Sequence, residues 1–146
     1  MIVLLKERRN MEINEELYDK ITQLTDMGND VFEEDLDQAI EYYEKALELV
    51  PTPKTDWEAS TWIYTSIGDA YFFLEKYEMA INALSNAMSC PDAISNAFIW
   101  LRLGECYYEL SDIEKAKEYL MRAYLLDGKD VFEEEDDKYF NSLEVE

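Results

Sequence analysis

The chain has 146 residues, long enough for a continuous core, and its 48% hydrophobic content sets it apart from disordered segments. Its 34 acidic residues against 13 basic ones give a net charge of −21, which repels phosphate backbones and anionic bilayers and argues against nucleic acid or membrane as direct ligands. There is no histidine, so the commonest general base and the commonest zinc ligand are both missing.

Residues 1–10 carry Lys6, Arg8 and Arg9 and break the acidic trend. They read as an N-terminal extension ahead of a start at Met11, or else as a short basic arm, with residues 11–146 forming a single domain. Met1-Ile2-Val3-Leu4-Leu5 is too short for a signal-peptide core, and no apolar run nears the roughly 20 residues of a membrane span. A cytoplasmic protein is expected.

Six core helices follow from apolar periodicity and its punctuation. The first covers residues 14–33, with Ile21, Leu24 and Val31 on one face, and the second covers 36–50, with Ala39, Ile40, Tyr43, Ala46 and Leu47. Pro51-Thr52-Pro53 ends that pair. Thr55-Asp56-Trp57-Glu58 has capping-box spacing, so Thr55 or Asp56 is expected to cap a third helix that reaches residue 74. The fourth helix spans 77–89. After Cys90-Pro91-Asp92, a fifth spans 93–110, and Ser111-Asp112-Ile113-Glu114 predicts the cap of a sixth that ends at Asp127-Gly128. Cys90 and Cys106 lack metal-ligand spacing and read as buried, reduced thiols. Residues 129–146 space Val131, Phe132, Tyr139, Phe140 and Leu143 by one or two helical turns around an acid run, Glu133 to Asp137, that reads as a solvated outer face.

One frame recurs along these helices. Trp100, Leu103, Gly104 and Tyr107 lead to Ala116, Leu120 and Ala123, and Tyr64, Ile67, Gly68 and Tyr71 lead to Ala80, Leu84 and Ala87. A more degenerate copy runs through Leu24, Met27, Gly28 and Val31 to Ala39, Tyr43 and Ala46. This W-x2-L-G-x2-Y…A pattern resembles the tetratricopeptide repeat. The resemblance implies an all-α right-handed solenoid of three helix hairpins, about residues 14–51, 56–92 and 93–128, closed by a C-terminal capping helix within 129–146. The signature glycines fall 40 and 36 residues apart, against about 34 in the family. The leading helices of the second and third hairpins are therefore expected to be extended at their starts, forming a ledge of Trp57, Trp62, Phe98 and Trp100.

Such repeats build binding surfaces, and the resemblance implies that leading helices line a concave side. The positions expected to be exposed there are Thr22, Thr25, Asn29 and Phe32, then Trp62, Thr65, Asp69 and Phe72, then Phe98, Leu101, Glu105 and Tyr108, with Arg102 beside them. Aromatic residues of this kind anchor protein interfaces. An enzyme is not expected, because no nucleophile, base or phosphate loop accompanies the many carboxylates. No cofactor or metal is expected either, since the acid run lacks the ordered calcium loop. The carboxylate clamp of tetratricopeptide co-chaperones needs inward lysines that are absent here, with only Asn29 and Arg102 matching it.

Nearly all of residues 14–143 also resembles the small stand-alone bacterial tetratricopeptide proteins found beside secreted toxins and thought to act as immunity proteins. The residues that carry this are the two-Pro joint before Asp56-Trp57, Phe98 to Gly104, and Val131 to Phe140. Trp100 and Asp137 stand where that group has His and Pro. Two functions are thereby implied: an inhibitor that docks on and occludes a basic toxin domain such as a nuclease, or a general adaptor that holds a peptide or helix of a partner. The acidic surface either steers such a partner or serves only solubility, and self-association stays open.

Overall fold

Apolar residues recurring every three or four positions wind the chain into α1 (Glu15–Val31), α2 (Leu36–Leu49), α3 (Glu58–Phe73), α4 (Tyr77–Met88), α5 (Ala97–Glu109), α6 (Ile113–Asp127) and a short α7 (Asp137–Asn141). The computed structural model describes residues 15–145. The segment 1–10, Met11 and the expected helix start at residue 14 lie outside the described residues. Helices α1 and α2, α3 and α4, and α5 and α6 pair as hairpins, and the hairpins stack through α2 on α3 and α4 on α5. Among the described residues no helix is long and apolar enough to cross a membrane.

Within each hairpin a glycine lets the two helices approach closely. Gly28 faces the Tyr43 ring, Gly68 faces Leu84 and Gly104 faces Leu120, while Ala39, Ala80 and Ala116 are fully buried nearby. Leu84, Leu120, Ile63 and Ile99 are each completely enclosed, and each contributes about 1.5–3 kcal/mol through burial. Cys90 and Cys106 are buried free thiols.

The turns inside the second and third hairpins repeat one geometry. Glu75 and Ser111 take the left-handed conformation (φ 60° and 66°). The next amide then reaches back to a helical carbonyl, Lys76 N to Tyr71 O and Asp112 N to Tyr107 O, each 2.9 Å. This closes the helix end without glycine. The Asp112 carboxylate accepts from Lys115 N at 3.2 Å and caps α6. Asp112→Ala is expected to cost about 1 kcal/mol, read as a lowered midpoint in urea unfolding.

The joints between hairpins correct two expectations. The extra residues do not lengthen α3 and α5; they form 3-10 turns at Lys54–Asp56 and Ala93–Ser95. The first turn is fastened by Lys54, whose ammonium donates to the carbonyls of Leu47 (2.8 Å) and Val50 (2.7 Å) at the end of α2. Thr55 and Asp56 are held in that turn. The N-cap of α3 is Trp57, with no side-chain cap bond. In the second joint, Asp92 turns left-handed (φ 61°) and Asn96 caps α5, accepting from Phe98 N at 3.0 Å. The ledge is therefore absent. Trp57 is buried in the first core cluster, and Trp62, Phe98 and Trp100 are half-buried.

The closing segment is a 3-10 turn, Lys129–Phe132, followed by α7. Phe132, Tyr139 and Leu143 bury themselves against Leu101, Leu120 and Ala123, covering the last hairpin's apolar face. The acid run is not uniformly solvated. Asp136 caps α7 by accepting from Lys138 N at 3.0 Å, and Glu135 turns inward.

Candidate functional site

Because α1, α3 and α5 carry the same frame, equivalent positions can be compared along the stack. One residue after the signature glycine, Asn29 is exposed, Asp69 half-buried and Glu105 enclosed. Two residues before it, Asp26 is exposed, Ser66 half-buried and Arg102 enclosed. The groove is open at its first two hairpins and closed at its third. The closing segment causes this. It places Glu135 on Arg102 and Tyr139 on Tyr108, with ring centroids 5.4 Å apart.

The open part is a pocket of ≈ 390 Å³ whose walls include Asn29, Phe32, Tyr43, Ser66 and Asp69. Asp30, Glu33 and Glu34 complete its lining. At its base the Tyr43 hydroxyl donates to Asn29 Oδ1 at 2.6 Å. Burial, helped by the charge of Asp69, pushes that phenol up to about 12, so the donor keeps its proton. Asp69 is itself raised by burial, against the pull of Arg102.

Rings line the boundary with the closed part. Phe32 meets Phe73 edge-on at 5.9 Å, and Phe73 meets Phe72 at 5.4 Å. Phe73 is 52% exposed. The Arg102 guanidinium lies over Phe72 at 4.4 Å and over Phe98 at 4.8 Å. Its Nε donates to Asp69 Oδ1 at 2.8 Å, and its Nη1 donates to Glu105 Oε1 and Glu135 Oε1, each at 2.6 Å. One cation thus faces three carboxyl groups. Burial is the largest cause lifting the Glu105 carboxyl to about 9; Arg102 opposes the rise, and the neighbouring Glu135 carboxyl adds to it.

The expected groove residues divide accordingly. Asn29, Phe32 and Asp69 come together in the open pocket. Thr25 and Thr65 spend their hydroxyls on the carbonyls of Ile21 (2.5 Å) and Thr61 (2.6 Å), and Thr25 is buried. Trp62 packs on the first core cluster, while Thr22 is half-buried with its hydroxyl unpaired. Leu101, Arg102 and Glu105 were expected to be exposed and are enclosed instead, because residues 132–143 lie over them. Phe72, Phe98 and Tyr108 stay half-buried beneath or beside that cover.

Sequence reasoning passed over Tyr43, Phe73 and Glu135. Tyr43 belongs to a rear helix, Phe73 sits one place beyond the positions considered, and Glu135 was hidden among like charges. Among the described residues no group of three or more His, Cys, Asp or Glu side chains could hold a metal ion.

The sequence matches the tetratricopeptide repeat at residues 31–93 and again at residues 99–130. No curated protein matches the chain. Solved structures share its fold. The first TPR of Spaghetti (RPAP3) bound to the HSP90 peptide SRMEEVD is 23% identical, with a TM-score of 0.68 over 86% of this chain and 89% of that one. The type III secretion chaperone SycD of Yersinia enterocolitica, in complex with a peptide of the translocator YopD, is 18% identical, with a TM-score of 0.69 over 86% and 91%. The TPR domain of Arabidopsis OM64 is 16% identical, with a TM-score of 0.69 over 86% and 93%.

Proposed function

Because the chain belongs to the tetratricopeptide repeat family, we propose that it is a non-catalytic module holding a peptide or helix of a partner protein in the open half of its groove. The observation that carries this reading is the ≈ 390 Å³ pocket, where Asp30, Glu33, Glu34 and Asp69 surround the rings of Phe32 and Tyr43. A ligand fitting those walls presents a Lys or Arg head to the carboxylates and lays its apolar stem, or a neighbouring apolar residue, on Phe32 and Phe73. The net charge of −21 draws such a ligand in from a distance.

The test is capture of partners on immobilised protein, using wild type, Glu33→Lys/Glu34→Lys in the groove, and Glu41→Lys on α2 away from the pocket. The groove variant is expected to slow association about tenfold at low salt, with the difference fading above about 0.5 M salt. Equal binding by all three proteins, or equal loss in the Glu41 control, refutes the assignment.

The acid lining also favours a narrower version, in which the partner is a basic toxin domain such as a nuclease and binding occludes its active site. That version requires the captured domain's activity to fall in proportion to occupancy. A captured partner that stays fully active supports the plain adaptor instead.

A further inference from the structure

The geometry points to residues 130–143 as a proton-held cover over the last third of the groove: the buried Glu105 carboxyl donates to Glu135 while both rest on Arg102, and losing that proton loosens the segment. Three observations bear on it. The frame positions equivalent to Glu105 and Arg102 are open in the first hairpin and partly open in the second, so the third is closed by added chain and not by the repeat itself. The cover directs Glu135 inward, with its side chain 15% exposed, to meet Arg102 at 2.6 Å. The Glu105 side chain is fully enclosed, and its Oε2 faces no donor.

Two ionised carboxylates cannot satisfy that oxygen, because neither supplies a hydrogen. A proton on Glu105 resolves the conflict, converting the orphan oxygen into a donor to Glu135 and removing the most deeply buried of the negative charges around Arg102. The cluster then holds Arg102 against Asp69 and Glu135 alone.

The sign follows from where the proton binds more tightly. With the cover closed, Glu105 sits at about 9, far above its ordinary 4.5. With the cover lifted, water reaches the carboxyl and its affinity for the proton drops toward the ordinary value. Closure therefore takes up a proton. It is strongest below the ordinary value, weakens as pH rises, and stops weakening once pH passes the closed-state value.

Neighbouring groups do not reverse this trend. Asp69, from α3, is also raised by burial. Cys106, on α5, is pushed up to about 12 by burial and by the charge of Glu105, and keeps its proton throughout. Tyr139, on the cover, is raised further still by burial and by Glu105 and Glu109. Lys138 stays charged on Glu109, 3.0 Å away.

A loosened cover exposes Leu101, Arg102, Glu105 and Tyr108 and extends the groove by one hairpin. That consequence rests on the groove being the docking surface, whereas the test reads the cover alone and needs no partner.

Hydrogen exchange followed by mass spectrometry on the full chain, at steps between about pH 6 and about pH 10, reports protection of residues 130–143 after correction for intrinsic rates, with α6 as internal reference. Protection of the cover is expected to fall by up to about tenfold per pH unit and to level off above about pH 9. Glu105→Gln keeps a neutral donor with no proton to lose, so its protection should hold nearly constant over the series. Glu135→Gln removes a lesser contribution to the rise at Glu105, so its protection should level off at a lower pH than in the wild type. Constant protection in the wild type, or a wild-type slope in a folded Glu105→Gln protein, overturns the inference. A groove that binds partners with no such slope leaves the proposed function standing without its cover.

Discussion

Replacing Arg102 with methionine is expected to lower the free energy of unfolding by about 3–5 kcal/mol, the loss typical of removing one partner from a buried ionic cluster. The Arg102 side chain is 5% exposed, and its partners Glu105, Glu135 and Asp69 are 0%, 15% and 23% exposed. Methionine fills much of the same volume and can still lie on Phe72 and Phe98, so the loss reports charge and hydrogen bonding more than packing. Removing the cation leaves Asp69 and Glu135 without their counter-charge beside Glu105 and breaks three hydrogen bonds. Adding Asp69→Asn and Glu135→Gln to Arg102→Met should restore at least half of the loss, because the penalty comes from stranded charge. Urea unfolding followed by circular dichroism measures both quantities. A single-variant loss below about 1 kcal/mol would mean the cluster is wetter and looser than its geometry.

The second large effect concerns the hairpin contact. A Cβ on Gly104 would lie 2.7 Å from Leu120 Cγ and 3.0 Å from the Leu120 backbone nitrogen. Leu120 can change rotamer, but its nitrogen moves only if α6 moves. Gly104→Val is therefore expected to cost about 1–3 kcal/mol or more through overpacking. Gly104→Ala should cost less, since alanine's helix propensity returns about 1 kcal/mol. At Gly68 the clash is mainly with the Leu84 side chain, 2.5 Å to Cγ, with Ala80 O at 3.3 Å. Gly68→Ala should thus be milder than Gly104→Ala. The unfolding midpoints of the three variants decide it, and a Gly104→Val protein as stable as wild type would show that the helices of this hairpin do not approach as closely as described.

The hairpins were legible because their glycines and alanines answer a local demand: two helices cannot approach closely with side chains in between. Gly28, Gly68 and Gly104 with Ala39, Ala80 and Ala116 therefore mark the pairing directly. The joints were less legible. Extra residues between repeats can lengthen a helix or fold into a turn, and Lys54 decides the first joint by reaching two carbonyls at the end of α2. Helical periodicity shows no such contact. At the site, the pattern identified which face of α5 looks toward the groove, but not what covers it. Arg102 and Glu105 carried the one available hint, two charges set among Ile99, Leu101, Leu103 and Cys106. The carboxylate that reaches Arg102 from the cover is Glu135, and nothing local separates it from the acids on either side.

The first hairpin is closed by a ring where the other two are closed by a leucine. That ring reaches from the rear helix past Gly28, and its enclosed hydroxyl donates to Asn29. Front and back of the module are joined there by a single rigid phenol. If the proposed ligand takes up Asn29, it competes with that phenol, and a change at the mouth then reaches α2 through Tyr43.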